Sequence, residues 1–291
     1  MDEITLKALA KINLGLDVVR RREDGYHEVR MIMQTIHLYD LLEIQKIREP
    51  EIQIVSNLSF LPVNENNLVY KAARLLQEEF ALTDGISIKL TKRIPVAAGM
   101  AGGSTDAAAM LYAMNQLYDL GLSRRELMKR GVQIGADVPY CLMRGTALAE
   151  GIGEKLTQLP PMIKCPVLIA KPSISVSTRF VFQNLKLDEQ TNHPDIDALM
   201  KDIGEKDFDG VCAHMGNVLE SVTIPNYPVI AEIKQQMMRS GAKASMMSGS
   251  GPTVFGLFED GETAKRALRE MKRSGLAKQV YLTTIYNNRR K

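Results

Sequence analysis

The sequence predicts an α+β protein, in which strands dominate the beginning of the chain and alternate with helices later. Every even position from Ile4 to Val18 is apolar, which is the period of a β-strand with one buried face. In the C-terminal half the predicted order is helix, strand, strand, helix, strand, which is typical of a small sheet covered by helices. The 291 residues are sufficient for one large domain or two medium ones.

The first half of the chain alternates between strand and helix patterns. The run that begins at Ile4 ends before a turn at Asp24-Gly25, and strand alternation resumes afterwards. The elements predicted next are strands over 29–36, 42–45, 52–54 and 86–90, and helices over 66–80, 104–120 and from Ser123 to before Gly135. The last helix begins with an S-x-x-E capping box formed by Ser123 and Glu126.

A domain boundary is predicted at Pro160-Pro161, which divides the chain into domains 1–160 and 161–291. Two short strands, over 145–150 and 154–159, precede this boundary. The elements predicted after it are strands at 167–170 and 280–286, two strands that flank 249–252, loops with a helix over 185–209, and helices at 228–239 and 262–272.

Composition excludes several classes of protein. With 45% hydrophobic and 24% charged residues, the chain is typical of soluble globular proteins. A net charge of +3 is too small for a protein that neutralises many nucleic-acid phosphates, and it leaves homodimer formation open. Cys141, Cys165 and Cys212 include no C-x-x-C pair, so neither a disulfide framework nor a thiolate zinc site is expected. The absence of a signal core and of a long apolar segment predicts a cytoplasmic protein without a membrane partner.

Two glycine-rich segments are candidates for ligand binding. Residues Pro95–Thr105, continuing to Asp106, follow a predicted strand and lead directly into a helix, where backbone N–H groups and the helix dipole favour a phosphate. A tight turn for helix–strand packing is the alternative. The second segment, Ser248–Thr253, separates two apolar runs, and it indicates either close approach of the backbone to a ligand or a flexible hairpin.

Polar residues in three places could carry chemistry. Lys11 and Asn13 share the polar face of the first strand, where a lysine could pair with a phosphoryl group or could simply face solvent. Asp137 lies in an apolar stretch. It is either a buried helix cap or the group that accepts a proton from a substrate hydroxyl. Tyr26 and His27 follow the turn and could stack on a planar heterocycle, although a hairpin tip explains them equally.

Three segments in this order resemble the motifs of the GHMP kinases, which phosphorylate hydroxyl groups of small molecules with ATP: Ala10-Lys11-Ile12-Asn13-Leu14, Pro95–Asp106 and Ser248–Thr253. The segments 24–27, 135–139 and 145–153 are similar to those of members whose substrate carries a cytidine diphosphate. The resemblance implies a two-domain fold, with an N-terminal mixed sheet with helices that carries the ATP loop and a C-terminal ferredoxin-like α/β sandwich. It also implies Mg²⁺ as a cofactor, with the Ser104 hydroxyl as a candidate ligand and no carboxylate assigned.

The resemblance also implies roles for individual residues. Lys11 and Asp137 match the catalytic pair, and Asn13 falls beside the substrate hydroxyls. Tyr26, His27 and Phe182 match the cytosine contacts, with Phe180 as a competing ring. The residues that match the ATP site are Asn67, Lys92, Pro95, Val96, Ala97, Ala98, Gly99, Met100, Ala101, Gly102, Gly103, Ser104 and Thr105.

The activity implied is ATP-dependent phosphorylation of the 2-hydroxyl of 4-diphosphocytidyl-2-C-methyl-D-erythritol, in the non-mevalonate route to isoprenoid precursors. Two alternatives stay open from the sequence. One is a kinase of the same family for another small alcohol, of the mevalonate or homoserine type. The other is a ligand sensor that has kept the fold without catalysis.

Overall fold

The computed structural model describes residues 2–288, which form two compact units. The first contains residues 2–10, 38–96 and 101–143, and the second contains 11–37, 97–100 and 144–288. Two long strands, β1 (Glu3–Arg21) and β2 (His27–Ile47), contribute residues to both units. The domain boundary at Pro160-Pro161 stays a prediction, because these units are defined by contacts and each is assembled from several chain segments.

The first unit contains four helices and part of a mixed β-sheet. Its further elements are β3 (Ile52–Ser56), α1 (Leu68–Glu79), β4 (Gly85–Thr91), α2 (Gly102–Leu117), α3 (Arg124–Ile134) and α4 (Val138–Met143). The strand order is β3-β4-β2-β1, in which β3 is parallel and β2 antiparallel to β4. Helices α1 and α2 pack against each other, and α3 and α4 both pack against α2.

The second unit contains an antiparallel sheet covered by helices. Its further elements are β5 (Thr146–Gly151), β6 (Lys155–Gln158), β7 (Pro166–Lys171), α5 (Thr178–Asn184), α6 (Ile196–Glu205), α7 (Phe208–His214), β8 (Gly216–Asn217), α8 (Glu220–Asn226), α9 (Val229–Arg239), β9 (Ala244–Met247), β10 (Val254–Leu257), α10 (Gly261–Ser274) and β11 (Gln279–Thr284). The order of the four-stranded sheet is β11-β7-β10-β9, and α9 and α10 pack on it. Separately, β5 pairs with β2 and β6, and β8 pairs in parallel with β1.

Local sequence signals explain where several helices begin. Ser123 caps α3 in a complete capping box with Glu126, as the S-x-x-E pattern predicts. Asn67 caps α1 by accepting a hydrogen bond from the backbone N–H of Val69. Helix α2 differs, because Ala101 at its N-cap adopts a left-handed conformation and provides no side-chain cap.

The predicted α+β class is confirmed, and the differences concern the ends and continuity of elements. The runs at 29–36 and 42–45 belong to one strand, β2, because the alternation continues without a break through Asp40. Helix α2 begins at Gly102 and ends at Leu117, whereas the predicted helix covers 104–120. The six-residue helix α4 was not predicted, since it is too short to show a periodic pattern. Among residues 2–288, no helix is long and apolar enough to cross a membrane.

Candidate active site

Lys11 and Asn13 lie in the interior of the second unit, although the sequence allowed a solvated strand face. Lys11 is 5% exposed and Asn13 is fully buried. The ammonium of Lys11 donates a 2.6 Å hydrogen bond to Asn13 Oδ1, and Asn13 Nδ2 contacts the sulfur of Met31 at 3.3 Å. A lysine ammonium has three donors, so this bond leaves capacity for a ligand oxygen. The interpretation of this face as an ordinary solvated surface is therefore wrong.

The two glycine-rich segments meet in the same unit. The hydroxyl of Ser248 donates a 2.8 Å hydrogen bond to the carbonyl of Gly99. A Cβ atom built on Gly249 would lie 3.3 Å from Gly99 Cα and 3.7 Å from Asn13 Oδ1. Residues of all three predicted motifs therefore come together around Asn13.

The glycine-rich loop has a strained backbone at alternate residues. Ala97, Gly99 and Ala101 have φ angles of +50°, +71° and +55°. The left-handed conformation destabilises a residue with a side chain by about 1–2 kcal/mol, so two alanines carry this strain. At Gly99 a side chain is also excluded by space, because its Cβ would lie 2.1 Å from the carbonyl oxygen of Ser248. Strain of this kind concentrates at ligand-binding sites.

Helix α2 begins directly after this loop and offers unpaired donors. The first backbone N–H groups of a helix lack an intrahelical acceptor, and Ala101 supplies no side-chain acceptor for them. Together with the positive end of the helix dipole, such groups bind phosphate without a cationic side chain. The loop and helix thus have the local features that the sequence predicts for a phosphate site.

Lys92 lies beside the start of α2 in the first unit, and its ammonium donates hydrogen bonds to two carboxylates. Its Nζ donates to Asp106 Oδ2 at 2.6 Å and to Asp40 Oδ2, and all three residues are less than 10% exposed. Burial acts to lower the pKa of Lys92, but the charges of Asp106 and Asp40 outweigh it and the pKa is raised. Burial raises the pKa of Asp106 well above its usual range, and the charge of Lys92 opposes this shift without cancelling it.

Neither Asp40 nor Asp106 is among the site residues that the sequence predicts. A signal for Asp40 was present, since it falls on an even position between Leu38 and Leu42, in the phase of the buried face of β2. A carboxylate at such a position requires a buried partner. The sequence does not specify that the partner is Lys92.

Asn67 and Asp137 have different surroundings within the first unit. Besides capping α1, Asn67 donates from Nδ2 to the carbonyl of Pro62 at 2.7 Å. Asp137 is half-buried between α3 and α4, and its backbone carbonyl accepts from the N–H of Cys141 at 3.0 Å. Within residues 2–288, no hydrogen bond of the Asp137 carboxylate to another residue is found. This carboxylate is therefore available to a ligand.

The aromatic residues predicted to contact a base lie in the second unit. The rings of His27 and Phe182 are 5.2 Å apart between centroids, at an interplanar angle of 43°. Tyr26 is 61% exposed and Phe180 is 36% exposed. Burial, and then the positive charge of Arg21, lowers the pKa of His27 and so favours the neutral imidazole. A neutral imidazole provides one donor and one acceptor.

A polar cavity of about 970 Å³ also lies in the second unit. It is lined by residues within 184–195 and 213–226, which include none of the predicted site residues. Its two histidines are paired with carboxylates, His193 with Asp17 and His214 with Asp202. One of its lining residues, Asn217, donates a 2.8 Å hydrogen bond to the carbonyl of Gly249, so the cavity adjoins the second glycine-rich segment.

No cluster of three or more metal-ligating His, Cys, Asp or Glu side chains occurs among residues 2–288. Mg²⁺ commonly keeps several waters and takes most other ligands from substrate phosphates and one or two protein oxygens. The hydroxyl of Ser104, at the start of α2, is an oxygen donor of this kind. This single hydroxyl is compatible with a Mg²⁺ ion whose other ligands are water and nucleotide phosphates.

Two regions of the chain match models of known protein families. Residues 67–145 match the family model described as the GHMP kinases N terminal domain, and residues 199–277 match the GHMP kinases C terminal model. The chain belongs to the GHMP kinase family. As a GHMP kinase it is a small-molecule kinase, and membership implies ATP as the phosphoryl donor. The N- and C-terminal matches and the α+β structure confirm the predicted GHMP kinase fold.

Alignments with similar kinases cover almost the whole chain. A protein of Lachnospira eligens named 4-diphosphocytidyl-2-C-methyl-D-erythritol kinase is 58% identical over 98% of this chain and 99% of its own length. One of the same name from Lachnoclostridium phytofermentans is 55% identical over 99% of each chain. A crystal structure of 4-(cytidine 5'-diphospho)-2C-methyl-D-erythritol kinase has a TM-score of 0.85 and 31% identity, and the match covers 98% of this chain and 100% of that one.

A kinase named for a different substrate has a similar fold. A homoserine kinase from Cytophaga hutchinsonii has a TM-score of 0.80 at 22% identity, over 98% of this chain and 95% of that one. At this level of identity, the likeness shows the fold alone.

Proposed function

We propose that this GHMP kinase transfers the γ-phosphoryl group of ATP to the 2-hydroxyl of 4-diphosphocytidyl-2-C-methyl-D-erythritol, in the non-mevalonate route to isoprenoid precursors. The observation that carries the proposal is the pairing of His27 with Phe182 in the unit where the three kinase motifs meet. The names of relatives 55–58% identical over nearly the whole chain support the same substrate.

The loop Pro95–Thr105 binds the phosphates of ATP in this proposal. Phosphoryl transfer depends chiefly on positioning and on stabilising charge over the phosphoryl oxygens, which backbone N–H groups can do. Asn67 and Lys92 lie near the nucleotide, and each shapes an adjoining element, since Asn67 caps α1 and Lys92 lies beside the first turn of α2. Mg²⁺, held by ATP oxygens and the Ser104 hydroxyl, would neutralise part of the phosphate charge.

Lys11, Asn13 and Asp137 act on the acceptor hydroxyl. Asn13 orients the Lys11 ammonium through their 2.6 Å bond, and Lys11 directs its other donors toward the reacting oxygens. As the hydroxyl oxygen bonds to the γ-phosphorus, the bond from phosphorus to the ADP oxygen breaks and the hydroxyl proton passes to the Asp137 carboxylate. The free hydrogen-bonding capacity of Asp137 supports this role.

Tyr26, His27 and Phe182 bind the cytosine. An aromatic ring stacks on any planar base, and a neutral imidazole can both donate to and accept from the polar edge of the base. These contacts distinguish the proposed substrate from mevalonate and homoserine, since neither has a heterocycle and both would leave the three rings without a role. The inward Lys11 and the available Asp137 likewise favour an enzyme over a ligand sensor.

Coupled measurement of ADP release tests the proposal. Purified protein with ATP, Mg²⁺ and 4-diphosphocytidyl-2-C-methyl-D-erythritol should release ADP at a rate far above that with mevalonate or homoserine. Phosphorus NMR of the product should show a new phosphate monoester on the 2-hydroxyl. Equal turnover of the three alcohols would exclude the substrate assignment, and ligand binding without any turnover would favour the sensor.

A further inference from the structure

The first unit contains a buried group of three charged side chains, Asp40, Lys92 and Asp106, which we term the charge cluster. Asp40 is 0%, Lys92 8% and Asp106 2% exposed. They come from β2, from the residue after β4, and from the beginning of α2. One ammonium therefore faces two carboxylates at a site with little exposure to solvent.

The charge cluster holds the chain on both sides of the glycine-rich loop. On the entry side, Asp40 Oδ1 accepts from the backbone N–H groups of Arg93 and, at 2.8 Å, of Ile94, immediately before Pro95. On the exit side, Lys92 Nζ binds Asp106 Oδ2 at 2.6 Å. The cluster thus joins the strand that enters the loop to the helix that leaves it.

The contact with the first helical turn is close. A Cβ atom on Gly102 would lie 3.3 Å from Lys92 Nζ and 3.2 Å from Ile94 Cγ2. The backbone of Lys92 is itself fixed by Asn57, which accepts from the Lys92 N–H at 2.7 Å and donates to its carbonyl at 3.1 Å. The ammonium is consequently held against the turn whose N–H groups face a phosphate in the proposed function.

Stability alone does not explain this arrangement. Replacing buried ion pairs by apolar side chains of similar volume is often neutral or stabilising, so a buried charge cluster is weak support for a stabilising role. Asp106 Oδ1 is in addition buried without a hydrogen-bond partner among residues 2–288, which carries a desolvation penalty. A specific orientation of the two chain segments is what the three charges provide.

We propose that Asp40, Lys92 and Asp106 are positioning residues, which set the orientation of the loop 95–105 and of the first turn of α2 for ATP without touching the nucleotide. The inference rests on the proposed function, in which this loop binds the phosphates of ATP. Lys92 is directed to Asp40 and Asp106, so its effect on the nucleotide passes through the backbone that the cluster holds.

The test compares Lys92→Met, Asp106→Asn and Asp40→Asn with Lys89→Met. Lys89 lies on β4, the strand that ends just before Lys92, and its pair with Glu43 is exposed, so its loss controls for removal of a lysine. Calorimetric titration with a non-hydrolysable ATP analogue gives affinity without an acceptor, and kinetics give KM and kcat for both substrates. We expect each cluster variant to weaken analogue binding by about tenfold or more and to leave KM for the alcohol within about twofold, because small displacements of binding groups are costly.

The folding and analogue affinity of the variants distinguish a positioning role from a purely structural one. If Lys92→Met does not fold, as judged by circular dichroism, the two isosteric Asn variants decide the question. Folded variants with unchanged analogue affinity would overturn the inference and leave the cluster a purely structural element. Loss of affinity in Lys92→Met alone would also overturn it, because it would indicate direct contact between Lys92 and the nucleotide. Failure of the wild-type protein to bind the analogue would instead contradict the proposed function.

Discussion

The hydroxyl of Ser248 donates a 2.8 Å hydrogen bond to the carbonyl of Gly99, although 149 positions separate them in the chain. The backbones approach closely enough that a single methyl group on Gly99 would overlap the carbonyl oxygen of Ser248, at 2.1 Å. The part of the first glycine-rich segment that lies in the second unit, residues 97–100, is therefore in direct contact with the second segment. The segment Ser248–Thr253 connects the antiparallel strands β9 and β10, and this hairpin also contacts the first glycine-rich segment.

Gly99→Ala should destabilise the protein for two separate reasons. The left-handed φ of +71° disfavours alanine by about 1–2 kcal/mol, and the overlap with Ser248 adds to this. Gly121→Ala is the matched control, because Gly121 has a φ of +67° and open space around its would-be Cβ. Urea denaturation should show a larger loss of unfolding free energy for Gly99→Ala, and equal losses would contradict the close approach.

Asp137→Asn should lower kcat by about 10²–10⁴-fold with little change in the affinity for ATP, since the amide cannot accept the hydroxyl proton. Asp119→Asn serves as the control. Asp119 has a left-handed φ of +50°, a conformation that asparagine adopts readily, so this change should leave activity unchanged. Near-normal kcat in Asp137→Asn would assign the proton to another acceptor.

Tyr26→Ala should raise KM for the cytidine-containing substrate by about tenfold or more, because stacking of a base on an aromatic ring contributes about 1–3 kcal/mol. Tyr26 is 61% exposed, so folding should be unaffected. Phe60→Ala removes a ring that is 69% exposed and should change neither KM nor kcat. An unchanged KM in Tyr26→Ala would remove this ring from the base-binding site.

Phe182→Ala and Phe180→Ala together identify the second stacking ring. Phe182 lies against His27 at 5.2 Å between centroids, whereas Phe180 is exposed on α5. Steady-state kinetics should therefore show a marked increase in KM for the cytidine substrate in Phe182→Ala only. The reverse result would assign the role to Phe180.

His27 should make the protein less stable in acid. Its pKa is lowered from 6.5 in the folded state, by burial and by Arg21, so below about pH 6.5 the unfolded chain binds more protons than the folded one. The unfolding free energy measured with urea should decrease when the pH is lowered from 7.5 to 5.5. This decrease should be smaller in the His27→Gln variant.

His214 provides a control of opposite sign. Its hydrogen bond to Asp202 raises its pKa, so the stability that it contributes is present in acid and is lost as pH rises. His214→Gln should therefore lose more stability than the wild type between pH 7.5 and pH 5.5. The same change in both histidine variants would contradict the assigned directions.

The sequence anticipated most elements because the signals that define them are local. Alternation predicts β1, and the capping box at Ser123 predicts the start of α3, since each depends on residues a few positions apart. The motifs likewise point to Lys11, Asn13 and the glycine-rich loop through residues that are close together in the chain. Short elements without periodicity, such as α4, do not provide such a signal.

At Lys11 and Asn13 the local sequence pattern does not distinguish a solvent-exposed strand face from a buried active-site face. A solvated strand face and an active-site face have the same alternating pattern, because the pattern records only which side chains are polar. Burial of Asn13 depends on Met31 and on the neighbourhood of Gly249, which are distant in the chain. Tertiary packing therefore distinguishes the two interpretations.

In the charge cluster, too, local sequence signals concern the individual residues, and tertiary packing decides which of them pair. The apolar phase of β2 is the sequence signal for burial of Asp40, and the glycine-rich motif contains Asp106, but the burial of Asp106 is seen only in the structure. Their shared partner Lys92 lies 52 positions from Asp40 and 14 from Asp106. Charge pairing acts over a few ångströms in space, and which charges come that close depends on the folded arrangement of β2, β4 and α2.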